Sequence, residues 1–242
     1  MKAMIFAAGK GTRLQPITQT LPKALVPFHG RPLLEQLIRK CIRYGITEMV
    51  VNVHHLGEQI VDFLEQQRYF GITIHLSDER DRLLDTGGGL KKAAHWLRGD
   101  EPILIHNVDI VSDLDFDELL EQHKAAGTIA TLAAMNRMSN RRFLVDSKQR
   151  LCGWENVATG ERKIVVNITE ALMPAAYCGI AIIESTFLSL IQQEGVFSLT
   201  DTFLAVAPIH PIYLATFPNI RWADVGTPEK LTAAEELFKQ KP

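Results

Sequence analysis

The chain has 242 residues, 46% hydrophobic and 22% charged, a composition that excludes a disordered or low-complexity polymer and allows a large buried core. Its 26 Lys and Arg against 28 Asp and Glu give a formal charge of -2, so no global basic excess exists to neutralise a nucleic acid or an anionic membrane surface. No apolar run reaches a membrane span or a secretory core, and Cys41, Cys152 and Cys178 lack zinc-type spacing, so a cytoplasmic protein with three reduced, buried thiols is expected.

In chain order, residues 3–8, 48–53, 72–76 and 103–106 read as short apolar or β-branched strands bounded by turn residues. Between them, residues 32–44, 56–67 and 88–97 carry helical apolar spacing, and Pro32 and Gly45 suit the start and end of the first helix. Strand and helix in alternation imply βαβ units, hence a parallel sheet with helices on both faces, in which ligands bind beyond the carboxyl ends of the strands. After Asp109 the rhythm changes to a helix at 115–126 and strands at 128–135, 143–146, 151–154, 163–167 and 177–183. Helices are expected again at 185–193 and at 199–206, the latter capped by Ser198 with Asp201 three residues on. A strand at 212–217 and a helix at 228–239 close the chain. With no repeat and no linker, residues 1–242 read as one α/β domain, a three-layer sandwich around a mostly parallel, Rossmann-like mixed sheet.

The first strand runs into Ala8-Gly9-Lys10-Gly11-Thr12-Arg13, where the binding crevice of such a sheet opens. Glycines let backbone N–H groups approach an anion, Arg13 offers a planar fork for phosphate oxygens, and Lys23 after Pro22 adds a compact charge. A dinucleotide fingerprint would need Gly where Leu14 stands and an acid near Asn52-Val53-His54, and a Walker A loop needs Gly-Lys-Ser/Thr after four spacers; neither is present. On its own the glycine loop remains compatible with a plain strand-to-helix turn. Asp85-Thr86-Gly87-Gly88-Gly89 is a second glycine turn, able to seat a flat base against bare backbone or simply to begin a helix. Asp109 and Asp224 each end an apolar stretch and could serve as turn or cap residues.

Taken together, Gly9-x-Gly11-Thr12-Arg13-Leu14-x-Pro16 with Leu21-Pro22-Lys23-Ala24-Leu25-Val26-Pro27, Asn107-Val108-Asp109 and Asp224-Val225-Gly226-Thr227-Pro228 resemble the sugar 1-phosphate nucleotidyltransferase family. The resemblance implies Mg²⁺-dependent transfer of a nucleoside monophosphate from a nucleoside triphosphate to a sugar 1-phosphate, with residues 1–110 as the nucleotide half and 111–242 as the sugar half. It assigns catalysis to Arg13 and Lys23, nucleotide binding to Ala8, Gly9, Gly11, Thr12, Arg13, Asp85, Gly87 and Gly88, and Mg²⁺ to Asp109 and Asp224. Asn107, Gly179 and Glu155 fall to the sugar. Three departures stand out: Ala24 replaces a proline common in the family, Val108 a glycine, and Glu155-Asn156-Val157 stands where many relatives carry Glu-Lys-Pro. Lys163 is a candidate for the sugar phosphate.

Spacing in the Thr86 and Asp224 segments is most similar to short members using UTP with N-acetylmuramic acid 1-phosphate, and nearly as similar to those using GTP with mannose or heptose 1-phosphate. The resemblance further implies a monomer or homodimer without the C-terminal β-helix that some relatives carry. A cytidylyltransferase for a phospho-alcohol and a non-catalytic nucleotide-sugar regulator are the alternatives.

Overall fold

A computed structural model describes residues 1–239. Its first half is a run of parallel βα units: β1 (Lys2–Phe6), α1 (Leu33–Arg43), β2 (Glu48–Val53), α2 (Gly57–Gln66), β3 (Thr73–Asp78), α3 (Asp85–Leu97) and β4 (Ile103–Asn107). β2 occupies the expected bounds, and its buried Met49, Val50 and Val51 explain why: a strand covered on both faces is apolar throughout. α3 begins three residues earlier than its apolar periodicity suggests. The first-turn N–H groups of Gly87 and Gly88 donate to the Phe197 carbonyl at 3.0 and 3.2 Å, a tertiary partner that periodicity cannot reveal.

The second half adds β5 (Ile110–Ser112), α4 (Phe116–Ala126), β6 (Ala130–Met135), β7 (Arg141–Val145), β8 (Leu151–Asn156), β9 (Glu161–Ile164), β10 (Met173–Ile183), α5 (Leu199–Val206), β11 (Ile212–Thr216), β12 (Trp222–Asp224) and α6 (Pro228–Leu237). Asp115 caps α4 by accepting from the N–H groups of Asp117 and Glu118, and Ser198 caps α5 by accepting from Asp201. Residues 185–193 are not an α-helix: Ser185–Leu190 forms a 3₁₀ segment instead, because its apolar residues anchor a short connection rather than a full amphipathic face. Residues 240–242 lie outside the description.

One ten-stranded sheet spans both halves. β1 pairs in parallel with β2 on one side and β4 on the other, β2 with β3, while β10 is antiparallel to both β4 and β6 and β11 is parallel to β6. The first residues of β10 pair instead with β7, from which β8 and β9 extend as an antiparallel meander. The chain thus winds outward from β1 to β3 and returns to β4 on the other side of β1, so a switch point falls between β1 and β4. A crevice opens there, beyond their carboxyl ends. Cys41, Cys152 and Cys178 are buried free thiols, and among the described residues no helix is long and apolar enough to cross a membrane.

Beneath that crevice, His106 of β4 is buried and its Nδ1–H donates to the Asn107 carbonyl at 2.8 Å. Burial, aided by the Lys40 charge, pulls its pKa from 6.5 down to about 3. The unfolded imidazole therefore takes up a proton near its ordinary value while the folded one stays neutral, so stability falls as pH drops below 6.5. Between that pH and about 5 the loss attributable to His106 reaches about 2 kcal/mol. Denaturant melts should show a shallower acid slope in His106→Asn; an unchanged slope removes His106 from the pH dependence.

Candidate active site

The loop after β1 is held from below. Asn52 of β2 accepts the N–H groups of Ala7 and Ala8 at 2.7 and 3.2 Å and donates to Glu79 at 2.8 Å; Glu79 in turn accepts from Leu84 N at 2.9 Å. Both polar side chains are buried, and burial lifts the Glu79 carboxyl above its usual range despite those donors. This buried relay ties the glycine loop to the segment leading into α3. Replacing Asn52 by Leu orphans two loop amides and the Glu79 oxygen, and about 3 kcal/mol of stability should be lost on denaturant titration. A variant as stable as the parent refutes the relay.

The loop itself turns at Gly11, whose φ of 63° is left-handed and whose missing Cβ admits Thr18 and Lys23: a methyl there would sit 2.8 Å from Thr18 Cγ2 and 3.2 Å from Lys23 Cβ. Gly9 has open space on the side where a Cβ would point. Thr12 and Arg13 are exposed in the following 3₁₀ turn.

Lys23 begins the third 3₁₀ turn after β1, is only 8% exposed, and forms an ion pair with Asp109 Oδ2. Asp109 follows β4 and accepts Val225 N–H through its backbone carbonyl at 2.9 Å. β5 and β12 run antiparallel with Asp224 opposite Ile110, so the two aspartates lie side by side at the crevice. Arg13 completes the cluster, since a Cβ on Gly226 would lie 2.9 Å from Arg13 Nη2 and 2.6 Å from Asp224 Oδ1.

Asp224 is the telling carboxylate. Burial raises its pKa, but the hydrogen bond from Lys230 at 2.8 Å and the charges of Lys230, Lys23 and Arg13 outweigh that and hold it below the ordinary carboxylate value. Its Oδ1 is buried and has no hydrogen-bond partner. An ionised, unpartnered carboxylate oxygen facing cations and a second aspartate fits a hard divalent cation. A Mg²⁺ ion needs only one or two carboxylates when phosphate oxygens and water supply the remaining ligands; among the described residues no three His, Cys, Asp or Glu converge.

Asp85, with φ 60°, is a non-glycine residue in the left-handed region, held there by its own carboxylate accepting from Thr86 N at 2.6 Å. It lines a cavity of about 250 Å³ with Phe6, Ala8, Gly9, Asn52 and Thr86. Gly87 and Gly88 face protein rather than this cavity: a Cβ on them would lie 2.5 Å from the Phe197 ring and 2.6 Å from the Gly195 carbonyl. Their bareness admits the 195–198 segment against α3, so Asp85 and Thr86 are the residues of this turn that border the cavity.

On the other side, Gly179, with φ 74°, sits at a register shift in β10, and a Cβ there would be 3.0 Å from Asn107 Nδ2. The structure thus brings Asn107 and Gly179 together beside Asp109. Val108 turns its side chain into the core, 4% exposed. Glu155 instead accepts from Arg142 across β7 and β8 at 2.7 Å, and Lys163 rests over Trp154 and pairs with Glu161 at 3.2 Å. A larger cavity, about 880 Å³ between α1 and β5, is lined by none of the residues nominated from sequence.

The fold is a mixed α/β sheet with a glycine loop at its switch point, flanked by a lysine–aspartate pair and a second aspartate, the place where sheets of this kind bind ligands. Residues 2–148 match the nucleotidyl transferase family model, and the chain belongs to that family. The mannose-1-phosphate guanyltransferase of Debaryomyces hansenii is 30% identical over 240 residues, covering 98% of this chain and 64% of that protein. The UTP–glucose-1-phosphate uridylyltransferase of Synechocystis sp. is 31% identical over 238 residues, covering 93% and 60%. The chain therefore spans less than two thirds of the length of these relatives. Among solved structures, a candidate glucose-1-phosphate thymidylyltransferase from Bacillus anthracis in complex with sucrose superposes with a TM-score of 0.78 at 21% identity, covering 100% of this chain and 96% of that one. HddC from Yersinia pseudotuberculosis complexed with GMP-PN gives 0.73 at 18%, covering 98% and 99%. These two show the shared fold.

Proposed function

We propose that this chain transfers a nucleoside monophosphate from a nucleoside triphosphate to a sugar 1-phosphate in the cytoplasm, with UTP and N-acetylmuramic acid 1-phosphate or GTP and mannose or heptose 1-phosphate as the pairs to test first. The observation that carries this reading is the cluster of Lys23, Asp109, Arg13 and the unpartnered Asp224 oxygen at the β1–β4 crevice. Relatives named mannose-1-phosphate guanyltransferase and UTP–glucose-1-phosphate uridylyltransferase support it.

The attacking oxygen of a sugar phosphate is already an anion at neutral pH, so the task is charge neutralisation and alignment rather than proton abstraction. The N–H groups of the Gly9 to Thr12 loop and the Arg13 guanidinium bind the β- and γ-phosphates, and Asp85 and Thr86 border the base. Lys23 faces the α-phosphate, where negative charge concentrates as the sugar phosphate oxygen bonds to phosphorus and the bond to the bridging oxygen breaks. Pyrophosphate leaves with its charge offset by Arg13, and no covalent enzyme intermediate is needed. Mg²⁺ on Asp109 and Asp224 would supply Lewis-acid neutralisation of the phosphate oxygens.

A pyrophosphate-release screen of four triphosphates against these sugar 1-phosphates, glucose 1-phosphate and phosphocholine tests the reading. Turnover with one sugar phosphate is the expected result. Turnover with phosphocholine alone, or nucleotide-sugar binding with no turnover anywhere, overturns it.

A further inference from the structure

The glycine loop is braced from outside by a residue that takes no part in the chemistry above. Thr18 sits in the 3₁₀ turn Ile17–Gln19, is 1% exposed, and donates its hydroxyl to the Gly11 carbonyl at 2.7 Å. Leu14 N–H donates to the same oxygen at 2.8 Å. The Thr18 methyl group fills the space that a side chain on Gly11 would need, so both ends of this side chain act on one residue. The turn is itself anchored to the start of α2: His55 donates from Nε2 to the Thr18 carbonyl at 3.1 Å, and Gln59 Nε2 donates to the Thr20 carbonyl at 3.0 Å. A path of hydrogen bonds thus runs from α2 through residues 18–20 to the loop.

A trans peptide is planar, with its N–H opposed to its C=O. Holding the Gly11 oxygen inward on Thr18 and Leu14 therefore turns the Thr12 N–H the other way, to the exposed side of the loop. Gly11 is left-handed, with φ 63°, and without a Cβ a glycine resists rotation of that peptide plane only weakly. A flipped plane would present a carbonyl oxygen to a triphosphate in place of an amide, so one attraction is lost and one repulsion gained. The Leu14 bond is only the closure of a three-residue 3₁₀ turn, where hydrogen-bond geometry is poor. The Thr18 hydroxyl adds the tertiary hold.

We propose that Thr18 is a positioning residue for nucleotidyl transfer, its hydroxyl holding the Gly11–Thr12 peptide with the N–H toward the distal phosphates of the triphosphate. The inference rests on the reading of the Gly9 to Thr12 loop as the triphosphate site, and its test works with or without turnover. Thr18→Val keeps the shape and removes the donor, while Leu14 still satisfies the Gly11 oxygen, so the fold is spared. The triphosphate KM should rise about tenfold with the acceptor KM within twofold of the parent, and Thr18→Ser, which keeps the hydroxyl, should stay within about threefold. A triphosphate KM within twofold of the parent in Thr18→Val overturns the assignment. So does a Thr18→Ser variant as impaired as Thr18→Val, because packing of the methyl group would then be the cause.

Calorimetry with inorganic tripolyphosphate reads the same point without an acceptor. Thr18→Ser should bind it as the parent does and Thr18→Val about tenfold more weakly, a result that supports the brace even where no sugar phosphate turns over. No binding by the parent, or equal affinity in Thr18→Val, overturns it even where transfer proceeds. If Thr18→Val does not fold, His55→Leu carries the test from the far end of the path: tripolyphosphate binding about threefold weaker is expected, and parental affinity overturns the brace.

Discussion

Lys23→Ala is expected to lower kcat on the order of a hundredfold or more, the loss that follows removal of one preorganised charge-stabilising group. The geometry argues for an effect on the rate rather than on substrate binding alone. Lys23 is nearly buried, starts a short turn fixed between Pro22 and Val26, and points at Asp109, so its ammonium group is placed before substrate arrives. Such a charge matters most where negative charge grows during the reaction, which is the α-phosphate and not the distal phosphates. Removing it also leaves Asp109 without its cation, and a stability loss accompanies the kinetic one. The two effects separate experimentally: single-turnover rates measured well below the melting temperature report the chemistry, and a denaturant melt reports the fold. A single-turnover rate within threefold of the parent takes Lys23 out of the reaction.

Much of this arrangement was legible in the chain itself. The parallel half announced itself through short apolar strands such as Glu48–Val53, because strands buried on both faces leave no room for polar alternation. Gly11 was legible as a turn that excludes a side chain, and Ser198 as a cap with its acidic partner three residues on. What the sequence concealed depends on tertiary partners. Asn52 and Glu79 lie 27 positions apart in sequence, and only the pairing of β2 with β3 brings them under the loop. Gly87 and Gly88 looked like a bare platform for a base, yet the 195–198 segment fills that space, a contact made 107 or more residues away along the chain.

Asp109→Asn should reduce kcat/KM on the order of a thousandfold and move the Mg²⁺ midpoint to higher concentration, while Asp224→Asn should do the same. Asparagine preserves shape and can still accept from Lys23, so packing is spared and the lost charge is what the measurement sees. The two carboxylates occupy adjacent positions on the paired segments 109–112 and 222–225, tied by the Val225 N–H to Asp109 carbonyl bond, and a cation shared between them would partner the Asp224 oxygen that has no donor. Sharing has a quantitative signature: groups that act on one centre are non-additive, so the double variant should be little worse than either single one. Full additivity of the two losses, or activity of Asp109→Asn that saturates at the same low Mg²⁺ as the parent, rules out a common metal. If instead Asp109 serves only to orient Lys23, then Asp109→Asn in the Lys23→Ala background costs nothing further at any Mg²⁺ concentration, whereas a metal ligand still loses its Mg²⁺ dependence there.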